Sequence, residues 1–193
     1  VDMVLLNFKE ETDPTIRYLN LKLAKLLKHE KLADMFLHEL ENEDWLVRYT
    51  AMLALGEMKC QEAVPQLLEA IGDAQVGLDA IKALGDYEDV QIASKLFKNF
   101  PNSSSSEQLE MLKIISKVED KRFIDPLTNY LKQGMLTVKV EMNLVECVAK
   151  LCEVNQVDMP LAIEQRFNRK NYLENEEGSE EESELNLSMS DYD

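Results

Sequence analysis

Apolar residues return along this chain with helical spacing. Val47, Ala51, Ala54, Leu55 and Met58 fall at i, i+4, i+7, i+8 and i+11, one stripe of an amphipathic helix. Val64, Leu67, Leu68 and Ile71 make a second stripe, so residues 44–72 read as a helix pair. The pair recurs. Asp13-Pro-Thr-Ile-Arg-Tyr-Leu, Asp44-Trp-Leu-Val-Arg-Tyr-Thr and Asp73-Ala-Gln-Val-Gly-Leu-Asp align, with a β-branched slot at Ile16, Val47 and Val76. Glu107 and Val138 continue that register, in steps of 31, 29, 31 and 31 residues. Each opening Asp is placed to cap its helix by accepting backbone N–H bonds. Nine residues on, Gly56, Gly85 and Ser116 share a slot, where glycine is expected to end the first helix in a left-handed conformation. The second helix then opens at Val64-Pro65 or Ile124-Asp125-Pro126, proline being tolerated in a first turn. The pattern predicts an all-α fold, an α-α superhelix: a right-handed solenoid of about five helix pairs, each unable to bury its faces alone.

The best-formed pair carries a resemblance. Trp45-Leu-Val-Arg-Tyr-Thr-Ala-Met-Leu-Ala-Leu-Gly-Glu-Met, followed by Glu62-Ala-Val-Pro-Gln-Leu-Leu-Glu-Ala-Ile, resembles the short HEAT-like repeat also found in phycobilin lyases. The likeness spans residues 13–169 and is most specific in the second and third repeats. The Asp and Arg usual in that repeat match Asp13 with Arg17 and Asp44 with Arg48. Later repeats depart from it: Gly77, Gln108 and Lys139 stand where Arg is usual, and Ser104 and Met135 where Asp is. A polar ladder along the stack is therefore expected to fade toward its end.

The flanks differ from the body. Residues 1–12, with Val4, Leu5 and Phe8 on one stripe, read as the remnant helix of a preceding repeat, which makes the chain the C-terminal part of a longer protein. Residues 13–170 form the solenoid, its last helix turning polar and basic as a capping helix should. Residues 171–193 read as a disordered acidic tail, since Asn175 to Glu184 has no apolar surface to bury.

Charge then narrows the partners. The 193 residues carry 37 acids and 21 bases, a net −16, but nine of the acids follow Lys170. The body is left with 28 acids against 21 bases, which repels phosphate backbones and argues against nucleic acid. Three cysteines, Cys60, Cys147 and Cys152, are an odd number with no zinc-type spacing; helical periodicity puts them on apolar faces, in a reducing, cytoplasmic setting. No apolar run approaches the roughly 18 residues of a spanning helix, so direct membrane insertion is not expected; the cytoplasmic domain of a larger protein fits equally.

Catalytic chemistry is not visible. His29 and His38 lack ligand spacing, no nucleophile has a local base, and phosphate-binding loops are missing, so no metal, cofactor or catalytic residue is expected. Glu39, Glu41, Glu43 and Asp44 read as a solvated acidic turn without the central glycine of a calcium loop. Ser103 to Ser106 form an interhelix loop whose last serines are placed to cap the next helix. Trp45 is expected as a wedge between repeats, with an exposed aromatic anchor as the alternative. The function that follows is a scaffold holding a protein or peptide on the concave face, through Gln66 and Glu69, then Lys95 and Lys98, with Trp45 as the anchor. A chromophore-handling enzyme of the phycobilin-lyase type is the alternative that the resemblance implies.

Overall fold

The computed structural model describes residues 1–134 and 136–168; the acidic segment 171–193 lies outside them. Among the described residues the helices in chain order are α1 (Asp2–Glu10), α2 (Pro14–Leu27), α3 (Ala33–Glu39), α4 (Trp45–Glu57), α5 (Val64–Ala70), α6 (Gly77–Gly85), α7 (Val90–Asn99), α8 (Ser105–Val118), α9 (Ile124–Lys132) and α10 (Val138–Asn155). Residues 161–168 are also helical, and no strand occurs among the described residues. Backbone contacts divide the chain into two compact units, Val1–Val118 and Glu119–Asp193.

In the first unit, α2, α4, α6 and α8 pack side by side as a layer of first helices. The second helices close over them: α1 on α2, α3 on α4, α5 on α6 and α7 on α8. Each second helix therefore packs on the first helix of the following repeat, the all-α solenoid that the periodicity predicts. The core between the layers is mainly aliphatic, with Leu21, Leu32, Leu55, Leu67, Ile81, Leu84, Leu96 and Met111 fully buried beside Phe36. Helix α4 is covered on more than its predicted stripe, because Thr50 and Met52 are buried along with Val47, Ala51, Ala54 and Leu55. In the second unit, α9 packs on α10, and Phe123, Leu127, Val140, Leu144, Val148 and Leu151 form the core.

One hydrogen bond defines the register of every repeat. The N–H four residues past the cap donates to the cap carbonyl: Arg17 to Asp13, Arg48 to Asp44, Gly77 to Asp73, Gln108 to Ser104 and Glu141 to Thr137, at 2.8–3.1 Å. The caps are thus 31, 29, 31 and 33 residues apart. The last step corrects the sequence register. Val140 fills the buried slot, whereas Val138 is 75% exposed, because the α9–α10 connection is two residues longer than the pattern allowed. The serine loop shifts likewise: Ser104 rather than a later serine caps α8, its N–H donating to Glu107 and its hydroxyl accepting from the Glu107 N–H.

The glycine slot also has a different purpose. Gly56 and Gly85 end their helices without leaving helical geometry, and the left-handed residue comes three positions later. Lys28, Lys59, Glu88, Glu119 and Gln156 all have φ between 44° and 57°, one at each junction of first and second helix. These junctions accept the roughly 1–2 kcal/mol cost of a left-handed non-glycine residue. Glycine is needed instead where first helices touch: a Cβ on Gly56 would lie 2.7 Å from the Ala83 carbonyl oxygen, and one on Gly85 2.8 Å from the Ile114 side chain.

Gly56→Ala is therefore expected to destabilise the protein by about 1–2 kcal/mol, overpacking outweighing the gain in helix propensity. Gly72→Ala, with only one atom within 4 Å of the new Cβ, should be near neutral. Urea denaturation of the two variants measures the difference; equal midpoints would remove the close-approach account.

Candidate interaction surface

Arg17, four residues past its cap, points back along the chain. Its Nη1 donates to the Phe8 and Glu11 carbonyls at 3.3 and 3.4 Å, and its guanidinium lies 4.1 Å from the centre of the Phe8 ring. Its Nη2 donates to Glu39 Oε1. That carboxylate is 1% exposed and accepts a second bond from Asn42 Nδ2 at 2.7 Å. The sequence reading of Glu39 as part of a solvated turn is thus overturned, since the residue is the buried anion of the first repeat. Arg48 repeats the arrangement. Its Nη1 donates to the Asn42 and Glu43 carbonyls at 2.9 Å, and its Nη2 to Asp73 Oδ2 at 3.3 Å and Gln75 Oε1 at 3.1 Å. Each arginine so joins backbone carbonyls ahead of its own helix to a carboxylate at or just past the end of the following second helix.

The ladder changes chemistry along the chain rather than simply fading. Gly77 interrupts it, because a Cβ there would collide with the Ile71 carbonyl oxygen. Gln108 restores the backbone half, its Nε2 donating to the Phe100 carbonyl at 2.8 Å. In the last repeat the corrected register puts Glu141, not Lys139, in the slot, where it accepts from Arg166 Nε at 2.7 Å. The polarity is reversed there, and Arg166 also donates to the Ala162 carbonyl at 3.0 Å.

Beside the Arg17–Glu39 pair lies an open cleft of about 420 Å³, lined by Leu37, His38, Glu41, Asn42 and Gln66 among others. Gln66 Nε2 approaches Glu41 Oε1 at 3.4 Å across it. Of the partner-binding residues expected from sequence, only Gln66 lines this cleft. Glu69 is exposed on α5, and Lys95 and Lys98 on α7. Trp45 is half-exposed at the start of α4, so it is no wedge between repeats, and it sits on a first helix apart from the other four. His38 and Glu41 were missed because an isolated helix face does not show which neighbouring helix completes it. A repeat-wise signal existed for the buried anion: Glu39 follows Arg17 by 22 residues much as Asp73 follows Arg48 by 25.

Electrostatics elsewhere serve the packing. Ammonium groups of Lys28 and Lys25, at 2.8 and 2.9 Å, hold the Glu57 carboxyl below its ordinary value. The Gln75 N–H, with Arg48 adding to it, does the same for Asp73. Burial pushes the Tyr87 phenol up, and its hydroxyl donates to the Cys60 carbonyl at 2.6 Å. Cys147 and Cys152 are buried on α10, and burial pushes the Cys147 thiol up to about 12. Cys60 instead lies half-buried in the turn after α4, not on an apolar face, its thiol donating to Glu62 Oε2. Among the described residues no group of His, Cys, Asp and Glu is arranged to hold a metal, and no helix is long and apolar enough to cross a membrane.

Glu39→Ala should cost about 2–4 kcal/mol in urea denaturation. Breaking a buried pair typically costs about 3–5 kcal/mol, and Arg17 keeps its carbonyl partners and some solvent. Glu43→Ala, which leaves its carbonyl in place, should change stability by less than about 0.5 kcal/mol. A pH effect follows from Glu57. Its depressed carboxyl contributes stability above its ordinary value of 4.5, and this is lost as pH falls through the lower, folded value. The melting temperatures of the native chain and of Glu57→Gln should therefore differ at pH 7 and converge toward pH 3; a constant gap would contradict the ion-pair account.

A family model for HEAT repeats matches residues 3–85 and 33–108, together more than half of the chain. No curated protein matches it. The match is to HEAT repeats in general and carries nothing particular to phycobilin lyases. With helix pairs stacked in two layers, caps recurring every 29–33 residues and an Arg–carboxylate rung joining successive repeats, the chain belongs to the HEAT repeat family.

Proposed function

We propose that this chain is an interaction scaffold that holds a protein or peptide on the concave face formed by its second helices. HEAT repeats are generally protein-interaction scaffolds, and families of this all-helical kind are typically non-enzymatic. The observation that carries the reading is the cleft between α3 and α5. Its floor is the fully paired Glu39, so the walls are held in place before any partner arrives. Its rim offers an acceptor at Glu41, a donor at Gln66, the His38 imidazole and the apolar edge of Leu37. That mixture suits a polypeptide, whose backbone needs donors and acceptors and whose side chains need apolar contact. Glu69, Lys95 and Lys98 extend the same layer with charges of both signs, which favour steering and register over raw affinity. Preorganisation lowers the ordering cost of binding.

The test is capture of partners from a lysate by three forms: the full chain, the chain ending at Lys170, and the full chain with Gln66→Ala, Glu69→Lys, Lys95→Glu and Lys98→Glu. All three should melt within about 2 °C of one another, the substitutions lying on the surface. The truncated form should keep its partners and the substituted form should lose them. Loss on truncation alone would assign recognition to the acidic segment and defeat the proposal.

A further inference from the structure

The first helices of the first unit all bury the slot ten residues past the cap, except in α2. Counted from the cap, Ile16, Val47 and Val76 share one slot, and Leu23, Ala54, Ala83 and Ile114 another. Ala54, Ala83 and Ile114 are 1%, 0% and 4% exposed. For Ala83 and Ile114, a first helix of the preceding repeat provides cover: Gly56 of α4 stands against Ala83, and Gly85 of α6 against Ile114. In α2 that slot is bare. Ile16, Leu19 and Leu23 are 47%, 51% and 58% exposed, and Leu26 and Leu27 continue the exposed stripe. Yet α1 already packs on α2 as α3 packs on α4. A second helix is in place, and the seat of the first helix that belongs with it is open.

We infer that this face of α2 receives one more first helix, supplied by a repeat that precedes α1 in the same polypeptide. Continuity of the interface argues for that occupant, because the same contact is made between α2 and α4, α4 and α6, and α6 and α8. Its chemistry follows from the interior contacts: an amphipathic helix with a small residue opposite Leu23, as Gly85 lies opposite Ile114. Of the cations on α2, Arg17 and Lys25 are paired with Glu39 and Glu57, which leaves Lys22 over the Tyr18 ring; an acid beside the apolar stripe of the incoming helix would be favoured there. This inference stands apart from the recognition surface proposed for the second helices.

The experiment compares melting temperatures of three forms, each with and without Leu23→Glu. They are the chain itself, the chain with a copy of residues 73–88 (α6 and its turn) placed ahead of Val1, and the chain lengthened by the segment encoded ahead of Val1. Both lengthened forms should melt several degrees higher. Leu23→Glu should remove most of that gain while shifting the unlengthened chain by less than about 2 °C. The inference is overturned if the encoded segment adds nothing, or if Leu23→Glu costs the same in every form. It is equally overturned if the unlengthened chain forms a concentration-dependent dimer that Leu23→Glu abolishes, since a second copy would then be the occupant.

Discussion

The close approach of successive first helices sets the other dimensions of the first unit. Gly56 meets the Ala83 backbone and Gly85 meets Ile114 with no room for a methyl group. Because these helices touch at that distance, the loops that open successive repeats are neighbours. Arg48 can then reach back to the Asn42 and Glu43 carbonyls and forward to Asp73 with one guanidinium. A wider spacing would leave either those carbonyls or the carboxylate to solvent, and the rung between the two loops would be lost. The ladder thus depends on the glycines, although no ladder residue touches one.

Much of this was legible in the sequence because helical period and repeat length are local properties. Val47, Ala51, Ala54 and Leu55 lie on the buried side as their spacing requires. What was misread depended on contacts between segments. A small residue near a helix end suits both a left-handed cap and a close crossing, and only the facing helix tells them apart. The left-handed positions went to Lys, Glu and Gln, which no turn propensity marks. Glu39 looks like one more acid in a run until Arg17, 22 residues earlier, is known to reach it. Val138 and Val140 both fit an alternating stretch, so a connection longer by two residues moved the buried slot without disturbing the pattern. Of the candidate site, Gln66 lies on a second helix, but its neighbours His38 and Glu41 come from the end of another helix and the turn after it and could not be grouped with it.

The slot after each cap shows which parts of the repeat are constrained. Arg17, Arg48 and Gln108 differ in charge, yet each donates to a carbonyl at the end of the preceding second helix or in its loop. A donor is therefore the common demand and the ion pair an addition to it. Glu141 cannot donate, and there Arg166 takes over both roles, binding the carboxylate and a carbonyl of its own helix. The rung survives reversal of its charges because attraction between the partners is indifferent to which one bears which sign.

Why α2 keeps its helix with one apolar face uncovered has a local answer. Asp13 accepts from the N–H groups of both Thr15 and Ile16, Pro14 occupies the first helical position, and five leucines and an alanine follow. At the far end Lys28 closes the helix in a left-handed turn, and both Lys25 and Lys28 are held by Glu57 of the next repeat. Capping of this kind contributes about 1 kcal/mol, and packing of the opposite face against α4 supplies the rest. The bare face is consequently a formed surface rather than one that must order on contact. A helix arriving there loses only its own freedom, so even a short apolar stripe is enough to seat it.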